Sequence, residues 1–177
     1  MSGHSHWKQI QHKKESQDKK KGQVFSKLLS AIAVAARGNP DPQFNPRLRT
    51  SIETARAANV PSDNIERAIA RSSESKNLEE LTIEAYGPEK SALIIECITD
   101  SRNRTISEIR HLLDEHHAKF AEEGSVRWSF ERTSLGDPWK PKFTQTISEK
   151  GNADLRALIG ALEAREDVQR IFSNISN

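Results

Sequence analysis

The most restrictive stretch of this chain is ALIIECIT, residues 92–99, which is apolar at nearly every position. A half-exposed strand alternates apolar with polar side chains, because successive residues point to opposite faces of the sheet. A strand without that alternation belongs in the middle of a sheet with both faces covered. The preceding run TIEAY (82–86) is separated from it by GPEKS, whose Gly-Pro marks a hairpin turn. The two runs are expected to pair, and the remaining chain must cover two faces.

Downstream residues offer that cover. Thr105 is expected to cap a helix, with Glu108 at the third position and Ile106, Ile109, Leu112 and Leu113 on its buried face. Val126, Trp128 and Phe130 alternate with Arg127, Ser129 and Glu131, the pattern of a half-buried strand. KFTQTIS (142–148) is a weaker strand, and ADLRALIGALEA (153–164) a helix with Leu155, Leu158, Ile159 and Leu162 inward. VQRIFSNI (168–175) supplies a last strand. This order predicts an α+β sandwich, an antiparallel sheet carrying two helices on one face.

Upstream the pattern is helical. Phe25, Leu28, Leu29, Ile32 and Ala36 follow helical spacing, and Gly38 stops the run. Asn45-Pro46 starts a second helix, with the Asn as cap and the Pro in the first turn, where its missing N–H costs nothing. Leu48, Ile52 and Ala55 give that helix its stripe, and Pro61 closes it. A third has Asp63 as cap, Glu66 completing a capping box, and Ile65, Ala68 and Ile69 inward. Residues 22–71 thus read as a three-helix unit, basic on its outside. SSESKNLEE (72–80) reads as a linker, which divides the chain into a basic helical domain, 1–75, and an α+β domain, 76–177.

Charge is segregated along the same division. The 177 residues carry a net charge of only +2, yet residues 1–75 hold 13 Lys/Arg against 7 Asp/Glu, and residues 76–177 hold 14 against 18. A polyanion-seeking first half joined to a mildly acidic body is the natural reading. Catalysis finds little support. The single Cys97 lies in the apolar strand as an inert core thiol, and there is no glycine-rich phosphate loop or nucleophile elbow. His4, His6 and His12 sit in a lysine-rich opening that offers a metal no rigid ligand set, so neither metal nor cofactor is expected. No apolar run approaches the roughly 20 residues of a membrane span, and no secretory h-region opens the chain; the expected location is the cytoplasm.

Nucleic acid fits the charges better. Lys8, Lys13, Lys14, Lys19, Lys20 and Lys21 recur along the opening arm, interleaved with His4, His6, Trp7 and His12. The cations bind phosphates through counterion release, while the rings can stack on unpaired bases. A second cluster, Arg102, Asn103 and Arg104, falls at a helix N-terminus, where the helix dipole also attracts a phosphate.

The opening GHSHW, the stretch NPRLRTSIETARAANVPSDNIERAIAR, then YGP, ECITDSRNRT with EIRH, EGSV, and the ending ALEAREDVQRIFSN together resemble the YebC family. That family is described as probable transcriptional regulators and includes the mitochondrial translational activator of cytochrome oxidase subunit I. The resemblance implies a helical N-terminal domain followed by α+β domains, no catalysis, and nucleic-acid binding. It implies either DNA-binding regulation or association with the ribosome to assist difficult sequences such as proline runs. Two departures stand out. His6 occupies a position where the family usually has Lys. The family also carries a third α+β domain inserted after the strand matching SVRWSFER, and here only TSLGDPW (133–139) stands at that place. The expectation is a monomeric, non-enzymatic translation factor binding rRNA, tRNA or the ribosome, with duplex DNA as the alternative ligand. A protein-interaction module docking through the acidic body is the third reading.

Overall fold

The structure, a computed structural model, describes residues 20–73, 77–134 and 137–176. The chain divides between residues 74 and 75 into two compact units.

In the first unit, helix α1 runs over residues 20–35, α2 over Pro46–Ala57 and α3 over Ser62–Ala70. Ile32, Ala35 and Ala36 of the first segment meet Leu48, Ile52, Ala55, Val60 and Ile65 in one buried cluster. Phe25, Leu28 and Leu29 pack partly buried against it. Gly38 ends the first segment with φ +83°, a conformation that a side chain disfavours. Asn45 then joins two helices with one side chain. Its Oδ1 accepts from the Leu48 amide at 3.0 Å, capping α2, while its Nδ2 donates to the carbonyls of Ala35 and Asn39, both at 2.7 Å. An orphan carbonyl at the end of α1 and an orphan amide at the start of α2 are satisfied together. The third helix differs from expectation. It begins at Ser62 after Pro61, with no side-chain cap, and Asp63 lies inside the first turn, where its charge favours the helix dipole instead.

The second unit is built on a four-stranded antiparallel sheet in the order β3-β1-β2-β6. Here β1 is Glu79–Tyr86, β2 Ala92–Thr99, β3 Lys119–Phe120 and β6 Val168–Ser173. Strands β1 and β2 pair from Glu79↔Thr99 to Tyr86↔Ala92, around the turn at Gly87-Pro88. The apolar run occupies the interior strand, as its pattern requires. Leu93, Ile95 and Cys97 face helices α4 (Arg102–Glu115) and α5 (Glu149–Glu163), packing with Ile109, Leu113, Leu155, Leu158 and Leu162. Ala92 and Ile94 face the other way, under Ala121, Val126 and Phe130. The mixed α+β architecture and the two helices on one face are as expected.

The second face is closed by an irregular segment rather than a long strand. Val126 and Phe130 are buried, but Arg127–Ser129 form a 3-10 turn and only Phe130–Glu131 (β4) remains extended, pairing with Lys140–Pro141 (β5). Trp128, expected inward, is exposed. The expected strand at 142–148 reduces to a single bridge, Gln145↔Ile175. Helix α4 also starts earlier than expected, at Arg102, with Thr105 a turn inside. Helix α5 starts at Glu149, where Ser148 Oγ accepts from the Gly151 amide. The Glu89 carboxylate packs so near Gly151 that an added Cβ would meet its Oε1 at 2.5 Å.

The segment is anchored by Glu84, on the second face of β1. Its side chain is buried, and its two oxygens accept from the amides of Gly124 (2.8 Å), Val126 (2.7 Å) and Arg127 (2.8 Å). Arg127 Nε adds an ion pair at 3.4 Å. Burial alone would raise the Glu84 pKa, but the three backbone donors and the Arg127 charge outweigh it and hold the carboxyl below its ordinary value of 4.5.

Two measurements test these anchors. Glu84→Gln is expected to cost about 2–4 kcal/mol, because it places an NH2 among amide donors in a buried site. Since the folded pKa is depressed, the Glu84 contribution is complete above about pH 4.5 and fades as pH falls through the folded value. The urea midpoint should therefore drop on acidification in the wild type and drop less steeply in Glu84→Gln. Asn45→Ala should cost about 1–3 kcal/mol of helical-unit stability by far-UV circular dichroism, with Asn45→Asp intermediate because it keeps the cap and loses both donors.

Candidate nucleic-acid interface

His4, His6, Trp7, Lys8, His12, Lys13, Lys14 and Lys19 lie outside the described residues. Lys20 and Lys21, the last lysines of the arm, are exposed in the opening turn of α1, with Lys21 Nζ 5.4 Å from the Phe25 ring centroid. Cations here project from the helix that carries Ile32 into the core, so the start of α1 ties a charged surface to a packed one. Farther along this unit Arg49, Arg56, Arg67 and Arg71 are exposed. Arg49 is clipped back onto the carbonyls of Pro42 (3.2 Å) and Gln43 (3.1 Å), and Arg67 onto the Asp63 carbonyl (3.1 Å) and the Asn64 side chain. The outside of the helical unit is basic, but several of its guanidiniums are partly engaged.

In the second unit, Arg102, Asn103 and Arg104 form the first turn of α4, which contains no acidic residue. All three are exposed, yet they are not equivalent. Among the described residues Arg102 meets only Glu79, at 3.9 Å, a loose pair in solvent that holds the guanidinium weakly. Arg104 is fixed. Its Nη1 lies 2.9 Å from Asp100 Oδ1, its Nη2 2.9 Å from Asp167 Oδ2, and Nε 4.0 Å from Glu108. The hydrogen bond to Asp167, with that carboxylate's charge, raises the Arg104 pKa further. Thr105 Oγ1 lies 2.6 Å from the same Asp167 oxygen and 2.8 Å from Thr99 Oγ1. Arg165 pairs with Glu108 across the same gap. Arg104 therefore braces the start of α4 to the turn before β6, and Arg102 and Asn103 are the members of the cluster most open to a phosphate.

Sequence spacing brought the three residues to one helix turn but did not reveal this division of labour, because Asp167 lies 63 residues away. Its signal was the paired pattern Arg165-Glu166-Asp167 after an apolar helix, legible only once α5 and β6 are in place. Among the described residues, no three His, Cys, Asp or Glu side chains gather as a metal site, and no helix is long and apolar enough to cross a membrane.

Comparison with known proteins identifies the family. Residues 5–75 match the TACO1/YebC protein N-terminal domain, and residues 78–136 match the TACO1/YebC second and third domain. A probable transcriptional regulatory protein of Persephonella marina is 47% identical over 155 residues, covering 85% of this chain and 62% of that protein. The chain thus spans less than two thirds of that relative's length. A protein of the same description from Chlorobaculum tepidum is 43% identical, covering 100% of this chain and 70% of its own length. The crystal structure of a conserved hypothetical protein from Aquifex aeolicus superposes with a TM-score of 0.79 at 32% identity, covering 88% of this chain and 90% of that one. Two family domains matched in order, and a relative covered over more than two thirds of its length, place this chain in the TACO1/YebC family.

Proposed function

We propose that this protein is a non-enzymatic, nucleic-acid-binding regulator of gene expression that acts as a translation factor on ribosomal or transfer RNA. The observation that carries the reading is the segregation of charge: 10 Lys/Arg against 3 Asp/Glu in residues 1–49, set against a mildly acidic second unit. The lysine-rich arm through Lys21 is the electrostatic anchor, and the first turn of α4, with Arg102 and Asn103 outward, is the second contact. The relatives' description as regulatory proteins agrees with a binding role. With the family's third domain read as absent near 133–139, the contacts assigned here fall on the arm, the helical unit and the α+β unit.

A DNA-binding transcriptional regulator is the second reading, favoured by the relatives' description as probable transcriptional regulatory proteins. Against it stands α3, the helix available to enter a groove. Arg67 there is bonded to Asp63 and Asn64 of its own helix, so base-reading side chains are few.

Two experiments test the proposal. Charge reversal of Lys13, Lys14 and Lys19–Lys21 should abolish co-sedimentation with ribosomes at moderate salt. If about five lysines meet phosphates, the wild-type log–log salt slope on single-stranded RNA should be roughly −3.5. A protein that stays at the top of the gradient while binding a duplex DNA site with sharp base preference would sink the translation reading in favour of the second. Within α4, Arg102→Ala should weaken RNA binding severalfold with the thermal midpoint unchanged, whereas Arg104→Ala should lower the midpoint by releasing Asp167.

A further inference from the structure

Two large aromatic rings of the second unit lie in solvent and belong to neither cationic cluster. Trp128 and Phe143 are each 63% exposed, with centroids 6.4 Å apart and planes tilted by 49°. Strand alternation would bury Trp128 beside Val126 and Phe130. The 3-10 turn at Arg127–Ser129 breaks the strand there and turns the indole outward. Its orientation is then set by hydrogen bonds: Trp128 Nε1 donates to the Ser125 carbonyl at 2.9 Å, and that oxygen also accepts from the Tyr86 hydroxyl at 3.0 Å. Ser125 lies between Gly124 and Val126, two of the three residues whose amides Glu84 holds, so the indole is tied to a rigid loop. Phe143 follows Lys142, whose amide donates to the Ser129 carbonyl at 2.9 Å. The indole's polar edge is satisfied inside the protein, and apolar ring surface is left to solvent.

We propose that Trp128 and Phe143 form a stacking platform for unpaired bases of single-stranded RNA, one base on each ring. The proposal rests on the nucleic-acid reading above and deepens it, since here the protein would meet bases where the lysine arm meets phosphates. The tilt rules out a parallel slot for one sandwiched base and suits two neighbouring bases unstacked from each other. Size favours such a ligand. At the areas typical of these side chains the two rings expose on the order of 250 Å², ample for two bases but far short of the roughly 800 Å² per partner of a stable protein complex. Charge points the same way. Lys140 and Lys142 are exposed on the segment that carries Phe143, but Glu131 lies opposite Lys140 in the β4–β5 pairing and Glu123 pairs with Arg127 at 3.7 Å. The patch is near neutral, so ring stacking must supply most of its affinity.

The test uses the full chain, a fluorescently labelled oligouridylate of twelve bases, and a duplex RNA of equal length at one salt concentration. Trp128→Ala/Phe143→Ala should weaken oligouridylate binding by about tenfold or more. Duplex affinity, the salt slope and the thermal midpoint should hold, because the phosphate contacts and the core remain. Trp128→Phe should retain most of the binding, and the indole emission of the wild type should be quenched by the oligouridylate. If the double variant binds oligouridylate like the wild type, with the lysine-dependent slope intact, the stacking platform is wrong and the nucleic-acid reading survives. Should the double variant lose ribosome association but not oligouridylate affinity, the rings face a protein and the proposal is overturned. If the wild type binds neither RNA nor ribosomes, both readings fail together.

Discussion

The second unit depends on one buried carboxylate. Strand β2 is apolar on both sides, and its helix-facing side is covered by two well-formed helices; the opposite side has no such element to draw on. What covers it is a short irregular segment, residues 121–131, with little regular hydrogen bonding of its own. Glu84 replaces the missing ladder. Three backbone amides that a strand would have paired converge on its two oxygens, and Val126 and Phe130 are thereby held over Ile94. A charge in that position would be costly without donors. With three of them and an arginine it becomes the fixed point from which the segment is hung, and the same loop that satisfies Glu84 sets the direction of Trp128.

Much of this architecture is legible in the residues, and several of the failures share a cause. The unbroken apolar run gave a central strand, Asn45-Pro46 gave a cap and a first turn, and helical spacing gave the buried faces of α4 and α5. These are local signals that require only the chain's own period. Several of the misreadings in the second unit involve a partner distant in sequence. Trp128 looked inward because Val126 and Phe130 are inward, and only Glu84, some forty residues earlier, draws the backbone off the strand path. Thr105 looked like a cap because its hydroxyl is indeed used, though by Asp167 and Thr99 rather than by its own helix.

The candidate interface was half legible for the same reason. A run of lysines announces itself by composition, and a pair of arginines in a helix's first turn by position. Composition does not distinguish a guanidinium held by three carboxylates from one that is nearly free. The sequence blocks by which the family is recognised turn out to bind one another: the DSRNRT and EIRH segments are tied to the ARED turn through Arg104–Asp167 and Glu108–Arg165. Similarly, the EGSV loop is tied to the first strand of the hairpin through Glu84. Such blocks can be retained for mutual packing as much as for a ligand, and the residues left over, such as Arg102, Asn103 and the exposed rings, are where binding chemistry is best sought.

The small hairpin of β4 and β5 has an architectural consequence. Because Glu131 lies directly opposite Lys140, the chain leaves the second face and returns to it one strand spacing apart, about 5 Å. The pairing makes a doorway. Material spliced between these two residues would exit and re-enter through the same opening, leaving strand order, both core clusters and the Glu84 anchor untouched, provided its own ends lie close together. The sheet is thus indifferent to how much chain is threaded through that point. A fold of this kind can gain or shed a whole module there in a single genetic step without refitting its interior.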